Sequence, residues 1–78
     1  MFFGGVLIVL TLKISYKPLF KLMIDKEITN RQLRERAKLS SSTFYKLKNN
    51  DNVTTETLLK ICCVLECNIS DIIECIKE

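Results

Sequence analysis

The stretch Thr29–Leu47, TNRQLRERAKLSSSTFYKL, decides the fold. Its apolar residues are Leu33, Ala37, Leu39, Phe44 and Leu47, spaced to pack two short helices together across a tight turn. Thr29 reads as the N-cap of the first, over residues 30–37. The rest of that helix is long and polar: Asn30, Arg31, Gln32, Arg34, Glu35 and Arg36. Ser40-Ser41-Ser42-Thr43 supplies a second N-cap, opening a helix over 41–48 whose apolar side holds Phe44 and Leu47. Its other side holds Ser41, Ser42, Tyr45 and Lys46. Small polar residues at a helix start allow close approach to a groove, and hydroxyl and ammonium groups can hydrogen-bond to base edges or phosphate. The unpaired N–H groups of a helix start attract phosphate as well.

Working outward, Tyr16, Leu19, Phe20, Met23 and Ile24 mark one face of an amphipathic helix. Ser15 and Pro18 suit its opening turn, and Asp25-Lys26-Glu27-Ile28 closes it. On the other side, Asn49-Asn50-Asp51-Asn52 is a loop by composition. Thr54 or Thr55 caps a fourth helix with Leu58, Leu59, Ile61, Cys62 and Leu65 as its apolar positions. Asn68-Ile69 turns the chain, Ser70 caps, and Ile72, Ile73 and Ile76 predict a fifth helix. The expected class is all-α, a compact five-helix domain over residues 13–78. Two Gly and one Pro argue against a fold of many tight hairpins.

The amino end differs. Residues 2–12, FFGGVLIVLTL, carry no charge. The run falls well short of the ~20 residues of a membrane-spanning helix. No basic residue precedes it, as a secretory signal would require. Val6–Leu12 has the aliphatic content of a strand, and no second strand stands out elsewhere. The expectation is an apolar, strand-like extension over residues 1–12 that pairs with the same strand of a second subunit. The alternative is an upstream start-codon assignment, with Leu12 as the true start.

Composition narrows the chemistry. The 78 residues fit one domain at most. There is no His, so the commonest metal ligand and the commonest general base near neutral pH are missing. No nucleophile–base pair or Gly-rich phosphate loop is visible, and the chain reads as a non-enzyme with no cofactor. Cys62, Cys63, Cys67 and Cys75 include no CxxC pair. They read as free thiols of a reducing cytoplasm, with Cys62 and Cys67 in the core and Cys63 and Cys75 exposed. The net charge of +3 is unevenly spread. Residues 13–50 carry ten basic and three acidic side chains; residues 51–78 carry two basic and six acidic. A basic half of this kind suits a polyanion.

The residues quoted above resemble the Cro/cI-type, or XRE-like, helix-turn-helix repressor family. KISYKPLFKLMIDKEIT, the two-helix stretch and NVTTETLLKICCVLECNISDI carry the likeness, which extends over residues 13–78 and is nearest to the small stand-alone bacterial members. The resemblance implies a five-helix domain whose third helix enters the DNA major groove. It puts base contacts at Ser41, Ser42 and Lys46, with Tyr45 flanking. It puts phosphate contacts at Asn30, Ser40, Asn49, Asn50 and Asn52, with Lys17 and Lys48 as further ones. Three positions depart from the family pattern: Arg34, where Ala is common; Lys38, where Gly is common; and Lys48, where Glu is common. Arg34 must snorkel outward or the helices must sit differently, and a left-handed Lys38 costs about 1 kcal/mol relative to Gly.

The expected function is sequence-specific binding of double-stranded DNA by a cytoplasmic regulator. It would be a homodimeric repressor on a pseudo-palindromic operator, with no membrane and no small-molecule effector. Two other classes remain open: a protein-interaction module, antitoxin-like or a co-regulator, and a thiol- or metal-based sensor using the cysteines.

Overall fold

The computed structural model describes residues 12–77. The order is β1 (Leu12–Ser15), α1 (Lys17–Asp25), α2 (Asn30–Ala37), α3 (Ser41–Lys48), α4 (Thr55–Leu65), a 3₁₀ turn (Ile69–Asp71) and β2 (Glu74–Lys77). Three helices open on a threonine or serine in extended conformation whose hydroxyl accepts an N–H three residues on: Thr29, Ser40 and Thr54. That satisfies donors the first helical turn leaves unpaired. At Thr29 the arrangement is reciprocal, since the Gln32 side chain accepts the Thr29 N–H at 2.9 Å.

α1 starts one residue later than its apolar spacing suggests. Tyr16 stands at the N-cap position without capping through its side chain, and Ser15 belongs to β1. Ser15 still serves the helix start, because its Oγ accepts the Lys17 N–H at 3.3 Å. Tyr16, Leu19 and Met23 are buried, but Ile24 is 75% exposed and lies off the core stripe. Leu59 of α4 is likewise exposed.

Two expectations are corrected at the ends of the chain. The fold is not all-α and there is no fifth helix: four helices accompany a two-stranded sheet among the described residues. After the 3₁₀ turn, residues 74–77 run antiparallel to β1, with Leu12 opposite Lys77, Lys13 opposite Ile76, Ile14 opposite Cys75 and Ser15 opposite Glu74. A short helix here would be marginal alone; Ile72 and Ile73 lie in the turn that leads into β2, and only Ile76, whose β-branched side chain suits a pleated surface, lies in the strand. Asp71 closes a capping box at the start of the 3₁₀ turn, its carboxylate accepting the Asn68 N–H at 2.9 Å. The partner of β1 is therefore a strand of the same chain. The strand expected over Val6–Leu12 lies, apart from Leu12, outside the described residues, as does the extension over 1–11.

The core joins every helix. Leu19 and Met23 of α1, Leu33 and Ala37 of α2, Phe44 and Leu47 of α3, and Ile61, Cys62 and Leu65 of α4 pack with Tyr16 and Ile72. Phe20 and Phe44 meet edge to face, with ring centroids 6.2 Å apart. Since Phe44 and Leu47 are the inward residues of α3, the same contacts fix which face of α3 looks out.

Candidate nucleic-acid interface

α3 is short, and its placement depends on both of its ends. At its start, Ser40 Oγ accepts the Thr43 N–H at 3.1 Å and donates to Thr43 Oγ1 at 2.9 Å. Ser42 Oγ lies 3.1 Å from Ser40 Oγ. The turn before it passes through Lys38 at φ 55°, ψ 47°. This is the left-handed conformation that favours Gly, so the expected cost at Lys38 is real. The turn is held by the Leu39 N–H donating to the Arg34 carbonyl at 2.9 Å.

The far end of α3 is tied to α1. Asn50 adopts a left-handed conformation at φ 59°. Its Oδ1 accepts the Tyr16 N–H at 3.0 Å, and the Tyr16 hydroxyl donates to the Asp51 carbonyl at 2.8 Å. Tyr16 is fully buried, and that burial pushes the pKa of its phenol up. These two bonds bring the start of α1, with Lys17, to the loop that follows α3. The pairing of Tyr16 with Asn50 and Asp51 was not visible in the sequence, where Tyr16 reads only as a core aromatic.

The expected contact residues fall as follows. Ser41, Ser42, Tyr45 and Lys46 are all exposed or half-exposed on the outer side of α3, with Tyr45 at 66%. Lys48 and Asn49 are exposed at its C-terminal end, and Asn50 and Asn52 in the loop beyond. Lys17 and Asn30 are exposed at the first residues of α1 and α2. Ser40 is exposed, but its hydroxyl is engaged in capping. Asn50 is engaged through its oxygen, which leaves its NH₂ group for another acceptor. Lys46 and Lys48 lie in the last turn of α3, where positive charge also complements the helix dipole.

Arg34 neither enters the core fully nor leaves it. It is half-buried, with its guanidinium over the Phe44 ring at 5.7 Å from the centroid. Stacking of this kind lets a long cation occupy the crevice between α2 and α3. On the outer side of α2, Arg31 pairs with Glu35 at 3.1 Å in an exposed i, i+4 bridge, worth at most about 0.5 kcal/mol.

The thiols divide as expected in exposure: Cys62 is buried, Cys67 half-buried, Cys63 and Cys75 exposed. Cys63 and Cys67 share no helical face, because α4 ends at Leu65. Burial and the neighbouring Cys62 thiol push the Cys67 pKa up to about 11, so it stays protonated near neutrality and is a poor nucleophile. Among the described residues no group of three or more His, Cys, Asp or Glu is placed to hold a metal ion. No helix of the described residues is long and apolar enough to cross a membrane.

The family model of the Cro/C1-type helix-turn-helix DNA-binding domain matches residues 19–78. The chain belongs to that family. Comparison with solved structures agrees: the crystal structure of the transcriptional regulator VanUg, Form II, is 42% identical, with a TM-score of 0.85. The alignment covers 95% of this chain and 99% of that one. Comparison with curated proteins gives no match. In this Cro/C1-type domain, α2 and α3 are the helix-turn-helix pair, joined through Lys38–Ser40, and both match the ranges read from the sequence. The family is one of DNA-binding domains and not of enzymes.

Proposed function

We propose that the chain is a transcriptional repressor that works as a homodimer in the bacterial cytoplasm, inserting α3 into the major groove of a pseudo-palindromic operator. Ser41, Ser42 and Lys46 read base edges and Tyr45 flanks them. Asn30, Ser40, Asn49, Asn50, Asn52, Lys17 and Lys48 hold the sugar–phosphate backbone. Residues 13–78 form the DNA-binding domain, and residues 1–12 are an apolar extension to it. Two copies place their α3 helices one helical turn apart, about 34 Å, and occlude polymerase.

The observation that carries this reading is the division of α3. Phe44 and Leu47 are buried, while Ser41, Ser42, Tyr45 and Lys46 stay on the open side of a helix of only eight residues. The family supplies DNA as the partner, and the likeness to VanUg, a transcriptional regulator, supplies transcriptional regulation as the process. The surplus of basic side chains in residues 13–50 supports the same face.

Selection from a randomised duplex library is the test. The expected product is a symmetric motif with half-sites about 10 bp apart. Lys46→Ala should relax the preference at one position of each half-site by about 1–3 kcal/mol. Failure to enrich any motif would overturn base readout by α3, and a single asymmetric half-site would overturn the dimer.

A further inference from the structure

Beside the entrance to α3 lies a cleft of about 360 Å³ lined by Arg31, Arg34, Glu35, Lys38 and Leu39. None of these residues is among the proposed DNA contacts. Three cations and one carboxylate meet there, and the carboxylate is engaged by Arg31 at 3.1 Å. The charges of Arg34 and Lys38 are left without a counter-ion among the described residues. The Arg34 Nε is buried, and no hydrogen-bond acceptor reaches it, although buried donors are nearly always paired. The guanidinium is held in place from one side by the Phe44 ring, so its orientation follows that of α3. Lys38 is held on the cleft by a left-handed backbone that would suit Gly better.

We infer that this cleft is a phosphate clamp, with Arg34 and Lys38 gripping a DNA backbone phosphate next to the groove that α3 enters. This rests on the DNA-binding reading above. The chemistry is that of a phosphate oxyanion, which an Arg fork and a Lys point charge recognise together. The backbone of DNA is the source that the cleft's position favours. Its lining residues Arg31 and Leu39 are the chain neighbours of Asn30 and Ser40, two positions already proposed as backbone contacts. Because Arg34 stacks on Phe44, the clamp also ties the backbone grip to the seating of α3.

The test compares the parent with Arg34→Met, Lys38→Gly and the double variant, measuring affinity for a fixed duplex by fluorescence anisotropy across NaCl concentration. Met keeps an apolar stem on Phe44, and Gly suits the left-handed turn, so folding is checked by urea denaturation and is expected to survive. The expected result is a log–log salt slope shallower in the double variant by about 0.9, the value of one phosphate contact. The loss of affinity should be equal for specific and random duplexes. In parallel, the Arg34 Nε–H resonance of the parent is followed by NMR on addition of duplex DNA or of inorganic phosphate, a readout that needs no variant to fold. A shift with DNA at substoichiometric to equimolar amounts supports the clamp. An unchanged slope in folded variants that still bind DNA overturns the clamp and leaves the DNA-binding reading standing. A shift with inorganic phosphate but none with DNA assigns the cleft to a small phosphate ligand and overturns the backbone assignment. Absence of DNA binding by the parent overturns both readings.

Discussion

Asn50 meets two demands at once: a left-handed backbone at φ 59° and a side-chain oxygen that accepts the Tyr16 N–H. Asn tolerates that backbone better than most residues with a Cβ. Asn50→Ala should therefore lose both a hydrogen bond and a conformational match, destabilising by about 1–3 kcal/mol. Asn50→Gly should lose less, because the backbone is still accommodated. Urea unfolding of the two variants separates the effects; an Ala variant as stable as the parent would mean that the tie between α3 and α1 contributes nothing. Asparagine in a loop was legible as turn chemistry. Its partner was not, because a bond to a residue 34 positions away has no local pattern. Arg34 was legible only as a side chain too large for a close helix–helix contact. Its perch over Phe44 depends on the crossing of α2 and α3, which spacing alone does not specify.

At the scale of elements, the caps were the strongest signals. Thr29, Ser40 and Thr54 each open a helix and are each followed by apolar residues at helical spacing. Local chemistry and tertiary packing agree there, and the ranges of α2 and α3 came out as read. Ser40→Ala tests that agreement. It removes the acceptor for the Thr43 N–H and should cost about 0.5–2 kcal/mol, read as a lower urea midpoint. It should also weaken DNA binding, because Ser42 loses its neighbouring hydroxyl; unchanged stability would show that α3 is held by Phe44 and Leu47 alone. The carboxyl end departs from its helical pattern for an identifiable reason. Ile72, Ile73 and Ile76 fit a helical face, but only Ile76 enters a strand, and what draws residues 74–77 into that strand is β1, some 60 residues earlier. Cross-strand Hα or amide contacts between residues 12–15 and 74–77 in NMR spectra should follow the observed register. Sequential helical contacts over 72–77 would contradict it.

For the whole molecule, the buried Tyr16 and the half-buried Cys67 set a limit at alkaline pH. Tyr16 and Cys67 both have folded pKa values raised above their ordinary ones, Cys67 from 9.0 to about 11. The folded state then holds these protons more tightly than the unfolded chain. The stability they support is intact below about pH 9 and is lost as pH rises towards 11. Urea midpoints at pH 8, 10 and 11 should fall in that order, and a midpoint that held steady or rose would contradict the desolvation that raises both pKa values.

The distribution of charge operates at this scale as well. The basic residues from Lys13 to Lys48 share a chain segment with the helix-turn-helix pair, while the acidic surplus follows it. A fold that turns this basic segment onto DNA should bind with strong salt dependence. The most direct measurement is fluorescence anisotropy of the unmodified protein with a labelled duplex, titrated across NaCl concentration. Log affinity should fall linearly with log salt, with a slope of about −0.9 per phosphate neutralised, and at least about four contacts per subunit are expected. No binding at low salt, or binding indifferent to salt, would contradict the assignment of α3 and its flanking basic residues to DNA.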